Sequence, residues 1–516
     1  MAAKTAQSPR PAPRTTSRRT GRRSAPAYDV AVVGGGPAGA VMGWALAKRG
    51  LRAIVLERER FPREKVCGDF VEPRGLRILE SMGCLSALEA SRPLPITHVA
   101  MFLQSVCEYR GPIPFYGDAS LLPPHGYIVP RHELDTRLLE CAGLAGATVV
   151  EDCAVTGVTR SAGSVIVSGR HRGAPMTVSA KVVVGADGTH SVVARSAGLL
   201  RDDPRHVAVS QRAYVDGVTV ETGEAAFFFD RDLFPGYGWM FPISGGRANV
   251  GVGILSETRT RAGIAVPELF RAFLEKLRRH HPGCTRARLA SKPLGGIVRT
   301  YGCAGPNHFD GGVLVGDAGC FVDPMTGEGI TPAMESSLIA SAVIAEALSQ
   351  DRTDAAQLSA YERRFRQYFD PALRYVDFCA AIMRNRFLRD FWLRVVARGC
   401  QSAREDPAFA RVGGAAFGGL DVQPVNILSH LWAKLIEETS AGSGRLLLDG
   451  LSGRGFSSVP WFADVWAFSE GWWRSAFDDP AWHATWTADV MRKWLLVAGT
   501  LHVPADPRMR GPEGLV

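Results

Sequence analysis

The stretch Tyr28-Asp29-Val30-Ala31-Val32-Val33-Gly34-Gly35-Gly36-Pro37-Ala38-Gly39 constrains this chain more than any other. A short apolar run stops at glycines, and a segment with apolar positions at Val41, Trp44 and Ala45 follows, ending at Gly50. That pattern predicts a buried strand, a glycine turn and a helix. In the spacing Gly34-x-Gly36-x-x-Gly39, the first glycine allows the tight turn, the second lets backbone approach a pyrophosphate, and the third lets helix pack on strand. An anion belongs at the helix N-terminus, where N–H groups lack partners and the helix dipole is positive. A second strand, Leu51 to Leu56, closes on Glu57 about 20 residues past the glycines, where a carboxylate can accept the ribose hydroxyls of an adenosine. Together these features predict a dinucleotide-binding α/β unit.

The formal charge of +9 over 516 residues suggests nucleic-acid binding until it is located. Residues 1 to 25 carry Lys4, Arg10, Arg14, Arg18, Arg19, Arg22 and Arg23 and no acid, so most of the surplus lies in one Pro/Ser/Thr-rich leader. The leader is expected to be disordered, and nucleic acid is not an expected partner. The ten cysteines show no paired spacing, which predicts free thiols, no metal site and a reducing cytoplasm. No run reaches the roughly 18 apolar residues of a membrane span.

After Glu57 the basic loop Arg58 to Phe70 should face the ligand crevice, which brings Cys67-Gly68 towards the cofactor. An inert buried thiol is the competing reading of Cys67. A helix is predicted near Arg74 to Met82. Arg131 should stand at a junction before a helix over Glu133 to Ala142, either on a phosphate or flavin or simply at the surface. Thr148 to Val184 reads as a β-meander ending in Gly185-Ala186-Asp187-Gly188, again a strand running through glycine and acid into a helix. Gly312 to Gly319 repeats that device. Asp323-Pro324-Met325-Thr326-Gly327-Glu328-Gly329-Ile330 then leads into an apolar helix to about Leu348, with Pro332 in its first turn.

These three glycine-acid elements resemble the flavoprotein fold of the para-hydroxybenzoate hydroxylase type, which implies FAD. By that resemblance Gly34, Gly36, Pro37, Ala38, Gly39 and Glu57 hold the ADP half, Arg131 and Ala154 contact the cofactor, and Asp317 takes the ribitol. Gly329 and Ile330 face the flavin ring, where a helix N-terminus would stabilise reduced flavin. Arg58, Cys67, Gly68, Phe70, Asp187, Gly188 and Gly327 complete the expected cofactor site. The fold class implied is α/β with an α+β insert. Its expected parts are a Rossmann-type FAD domain over 26–204 and 301–349, an inserted antiparallel substrate sheet over 205–300, and a helical extension over 350–516.

The clearest part of the insert is Tyr237-Gly238-Trp239-Met240-Phe241-Pro242, a turn at Gly245-Gly246, and a returning strand through Gly251 and Gly253. Ordinary aromatic core is the plain reading. The spacing Tyr-x-Trp-x-Phe-Pro followed by Gly-x-Gly is also similar to the geranylgeranyl reductase family. Phe61-Pro62-Arg63-x-Lys65-x-Cys67-Gly68 and the Asp323 to Gly329 loop resemble that family too. Over Tyr28 to Leu348 the resemblance implies an FAD-dependent oxidoreductase acting on an apolar, prenyl-like molecule, with Cys67, Tyr237, Trp239 and Phe241 at the reacting end. Double-bond reduction is the favoured reaction. Monooxygenation of an apolar or polycyclic compound is the alternative, and both need a dry pocket. Halogenation ranks low, because Tyr237 and Phe241 depart from the Trp-x-Trp-x-Ile-Pro hairpin of flavin halogenases. A non-catalytic scaffold would leave the cofactor set without a purpose.

One dinucleotide fingerprint means that NAD(P)H visits the flavin transiently or that a separate reductase supplies electrons. Beyond Leu348, residues 350 to 400 read as amphipathic helices, and 401 to 455 as loops and a short helix. Trp461, Trp466, Trp472, Trp473, Trp482, Trp486 and Trp494 crowd the end. A tail packed on the domain is the favoured reading there, over a pocket cap or a peripheral membrane contact.

Overall fold

The computed structural model describes residues 27–113, 123–219 except 162, 223–410 except 304 and 408, and 460–500. The basic leader and most of 401–455 lie outside the described residues, as does the side chain of Trp461. The strand Tyr28–Val33 is the centre of the molecule. It pairs in parallel with Ala174–Gly185 on one side, Val30 opposite Val182, and with Ala53–Leu56 on the other. Thr148–Val150 and Gly312–Leu314 extend this parallel sheet at its two sides. Burial of both faces explains why these strands read as continuous Val/Ala/Ile runs rather than alternating patterns. One face is covered by the helix Pro37–Lys48, the helix Ile330–Ser349, and the aromatic stripe Tyr361, Phe365, Phe369 and Leu373 of Ala355–Met383. The strands Cys153–Ser161 and Ser164–His171 add the antiparallel meander.

The second eight-stranded sheet is built round Val207–Asp216, Glu224–Phe229, Tyr237–Ile243 and Arg247–Leu255. It is not confined to residues 205–300. His98–Leu103 joins it in parallel beside Glu224–Phe229, and Val106–Pro112 follows as its edge. In the hairpin Trp239 stands opposite Gly251 and Phe241 opposite Asn249. A Cβ at Gly251 would lie 2.2 Å from the Trp239 indole, so that glycine makes room for the ring.

Two expectations change. Cys84 and Cys141, 57 residues apart in sequence, are joined as a disulfide, with Cα atoms 6.3 Å apart; sequence spacing does not reveal a pairing made by packing two helical segments together. The Trp-rich end forms two helices, Pro460–Asp478 and Pro480–Thr500, and only partly packs. Trp486 is buried and donates to the Ala381 carbonyl, and Trp482 donates to Glu257. Trp466 and Trp473 are 65% and 60% exposed. No helix among the described residues is long and apolar enough to cross a membrane.

Candidate active site

The parallel sheet ends at its glycine turns on one side of a cavity of about 880 Å³, and the hairpin sheet walls the other side. At the nucleotide end the three glycines differ. Gly34 has φ +101°, and a Cβ there would meet the Ala186 carbonyl at 2.3 Å. A Cβ at Gly39 would lie 1.8 Å from the Gly34 carbonyl oxygen, so helix and strand touch through it. Both glycines are demanded by the protein's own backbone. A Cβ on Gly36 would meet only side-chain nitrogens, Arg63 Nη2 at 3.4 Å and Arg131 Nη2 at 3.9 Å. The helix behind it starts with no side-chain cap and no acid in its first turn. Two guanidiniums and uncapped N–H groups round an open glycine form a cradle for a pyrophosphate.

Asp135 holds that cradle in place, accepting two bonds of 2.8 Å from Arg131 and standing 3.0 Å from Arg63. Arg63 Nη1 is buried without a partner, which leaves a donor for a phosphate oxygen. Glu57 accepts from the Gly35 N–H at 2.6 Å and from the Glu59 N–H at 2.9 Å, so its carboxylate braces the glycine turn as well as lining the cavity. Asp187 is turned away from ligand duty. Its oxygens accept from Ser191 Oγ and the N–H groups of Val192 and Val193, and the Asp187-Gly188 backbone forms the wall. Asp317 faces Lys65 at 3.3 Å and Thr189 at 3.4 Å. Arg58, Gly68, Phe70, Gly327, Gly329 and Ile330 also line the cavity, together with Pro37 and Ala38. Ala154 does not: its neighbours Cys153 and Val155 do, because alternation along the strand turns it aside. These features fit both halves of FAD.

At the other end the loop carrying Cys67 is clamped from three directions. Arg212 donates to the Lys65 carbonyl, Asn249 donates to the Cys67 carbonyl, and a Cβ on Gly68 would lie 3.1 Å from the Phe241 ring. Cys67, Tyr237, Trp239 and Phe241 are thereby brought to one wall. Burial pushes the Cys67 thiol up and keeps it protonated, with the Arg131 charge opposing. Burial also raises the Tyr237 phenol, whose hydroxyl donates to the Thr326 carbonyl.

Sequence reasoning missed the polar set beneath this wall. Asp69 Oδ2 accepts from Tyr214 Oη and from Asn249 Nδ2, each at 2.7 Å, and Trp239 Nε1 donates to Asn249 Oδ1 at 2.9 Å. The available signal was Asn249 itself, a polar residue at a position flanked by Ala248 and Val250 in a buried strand. Also missed was a buried carboxyl group cluster on the wall near the Gly329 turn. Glu72, Asp323 and Glu328 line the cavity with Glu335 behind, and Arg74 is the cation among them, 3.1 Å from Glu335. Burial raises all four carboxyls, Glu328 to about 8. Glu328 caps the long helix by accepting from the Thr331 N–H at 2.7 Å.

Among the described side chains none of residues 464–499 lines the cavity, so Trp466, Trp472, Trp473, Trp482, Trp486 and Trp494 do not cap it; Ala380 and Met383 of the helix Ala355–Met383 reach it instead.

Residues 27–374 match the model of the FAD binding domain family. A digeranylgeranylglycerophospholipid reductase of Methanococcoides burtonii is 31% identical over 354 residues, 66% of this chain and 80% of that protein. A menaquinone reductase of Mycolicibacterium smegmatis is 32% identical over 327 residues, 61% of this chain and 75% of that protein. Among solved structures, a geranylgeranyl bacteriochlorophyll reductase-like protein from Thermoplasma acidophilum superposes with a TM-score of 0.60 at 25% identity, covering 70% of this chain and 87% of that one. The chain belongs to the FAD-binding-domain flavoproteins and, within them, to the geranylgeranyl reductase family of FAD-dependent oxidoreductases.

Proposed function

We propose that this flavoenzyme saturates isolated carbon–carbon double bonds of a prenyl-type lipid or quinone. The observation that carries this reading is the continuity of one cavity from the Gly36–Arg63–Arg131 cradle to the aromatic wall of Phe227, Tyr237, Trp239 and Phe241. An isoprenoid chain offers no polar handle, so its recognition rests on aromatic surface and exclusion of water. Reduced FAD supplies a hydride for such a reaction. The chain's own residues hold the cofactor's phosphates at Gly36, Arg63 and Arg131, and its ribitol beside Asp317 and Lys65. They keep the alkene dry against the hairpin and present protonated groups at the wall. Electrons reach the flavin from NAD(P)H or from a separate reductase, since the hairpin sheet carries no second glycine fingerprint.

The exposed Trp466, Trp473 and Phe477 on one helix, with Met491, Trp494 and Leu495 on the next, suit a peripheral lipid surface from which an apolar substrate is drawn. Reduced holoenzyme mixed with a geranylgeranyl compound without oxygen should return to oxidised flavin. Flavin that stays reduced until air is admitted would favour oxygen transfer instead.

A further inference from the structure

Saturating an unactivated double bond needs an acid as well as a hydride, so a cavity that excludes water must still be supplied with protons. Tyr237 already gives its proton to the Thr326 carbonyl. Burial holds the Cys67 thiol up, away from the neutral range in which an acid releases its proton most readily. The carboxyl cluster near the Gly329 turn offers more. Within it Asp323 Oδ1 accepts the N–H groups of Met325 and Thr326 at 2.7 Å each, and Glu72 and Glu335 are only 2% exposed. Glu328 lines the cavity and keeps part of its surface open, and neither of its oxygens is closed in without a partner. Its neighbours in sequence fix where it stands. A Cβ on Gly327 would lie 4.0 Å from Tyr237 Oη, and one on Gly329 would lie 3.5 Å from Asp317 Oδ1. Glu328 therefore sits between the aromatic wall and the ribitol end.

A row of polar groups runs from there through the protein. Thr331, whose N–H caps onto Glu328, shares a helix face with Glu335 at i, i+4. Arg74 stands 3.1 Å from Glu335 and 3.8 Å from Glu72, and Glu335 Oε1 accepts at 2.8 Å from Tyr368 Oη, which is half-buried on the helix Ala355–Met383. Four atoms of this row are buried without partners: Glu72 Oε2, Arg74 Nε, Thr331 Oγ1 and Glu335 Oε2. Orphaned donors and acceptors grouped in this way are the polar surroundings that an internal water requires.

We propose that Glu328 is the proton donor of this cavity and that Tyr368 and Glu335 reload it through water held among Glu72, Arg74 and Thr331, a role that rests on the alkene-reductase reading. One alkene carbon receives hydride with its electron pair from the reduced flavin, which is oxidised by two electrons. The π pair binds the Glu328 proton on the other carbon, and the O–H pair remains on the carboxylate. A proton from solvent then enters at Tyr368. The groups facing Glu328 are Glu72 and Arg74 from one helix, Glu335 from its own, and Asp323 across the turn, with Tyr368 behind Arg74. Burial and the neighbouring carboxyls outweigh Arg74 and the Thr331 N–H and push Glu328 up to about 8, so it carries its proton at neutral pH.

Three readouts test this. In the oxidised holoenzyme, infrared difference spectra across pH 8 should show a protonated-carboxyl band that titrates there and is missing from Glu328→Gln, which keeps an acceptor for the Thr331 N–H. With flavin reduced anaerobically and a geranylgeranyl compound added, Glu328→Gln should slow reoxidation about 100-fold, the size of a lost general acid, while the electron donor reduces the flavin at the normal rate. Tyr368→Phe should leave the first turnover at the wild-type rate, because the proton is already stored, and slow the later ones several-fold, a split that a merely structural role would not give. A band that persists in Glu328→Gln, or unchanged reoxidation in that variant, overturns the donor. First and later turnovers affected alike in Tyr368→Phe, or neither affected, overturns the reloading route. A wild-type flavin that the alkene never reoxidises, with the band in place, overturns instead the reaction beneath the proposal and with it the alkene as the proton's acceptor.

Discussion

The indole Nε1 of Trp239 donates to the amide oxygen of Asn249 at 2.9 Å, and through that bond the aromatic hairpin is tied to the Cys67 loop. The amide nitrogen of Asn249 reaches both the Cys67 carbonyl and Asp69. Asn249→Leu should leave Trp239 Nε1 and two acceptors short of partners in a buried site. A loss of roughly 3 kcal/mol is expected, since each stranded group costs about 1–3 kcal/mol. Denaturant melts of the holoenzyme check it, and flavin content should change little because the phosphate cradle is elsewhere.

Gly36 and Gly39 should behave oppositely when given a side chain. Gly39→Val drives a Cβ into the Gly34 carbonyl and should prevent stable folding. Gly36→Val meets only two guanidiniums, so the protein should fold with a near-normal melting temperature and purify without flavin. Absorbance ratios of flavin to protein, read beside thermal melts, separate the two outcomes. A yellow Gly36→Val protein would show that the cradle does not hold the cofactor.

Because Asp69 ionises in the folded state only at about 6, above the usual aspartate value, folding favours its protonated form. That contribution is fully present below about pH 4 and is lost as pH rises through about 6. Asp69→Asn should therefore gain stability relative to wild type across that window, by an amount on the order of 3 kcal/mol at pH 8. Melting temperatures of both proteins from pH 4 to pH 8 should diverge upward for the variant. Parallel curves would mean that the carboxyl is not held protonated.

Arg74 is the cation that compensates Glu72, Glu328, Glu335 and Asp323. Arg74→Met should destabilise by roughly 3–5 kcal/mol at pH 8, because buried carboxyls lose their partner. The deficit should shrink as pH falls through about 8, where Glu328 takes up its proton and the repulsion relaxes. Urea midpoints at pH 6 and pH 8 measure the difference.

The nucleotide end was legible in sequence because it is local chemistry. Gly34, Gly36, Gly39 and Glu57 act through backbone geometry over one strand-turn-helix-strand unit, and their spacing encodes that geometry. The Cys67 loop and the hairpin were legible as separate motifs. Their meeting was not, because Asp69 finds Tyr214 145 residues away and Asn249 180 residues away. Asp187 shows a different limit: its place beside a helix start was readable, but a carboxylate there can face a ligand or cap the helix, and it caps. The edge of the second sheet was missed for a related reason. His98–Leu103 pairs with a strand more than a hundred residues later, and neither partner's sequence names the other.

The most direct measurement of the central claim is the mass of the product formed by reduced holoenzyme and a geranylgeranyl lipid, run in parallel with and without oxygen. Alkene reduction requires a product heavier by two hydrogens for each bond saturated, formed in the anaerobic vessel. No anaerobic product, with a compound heavier by one oxygen atom once air is admitted, would contradict it.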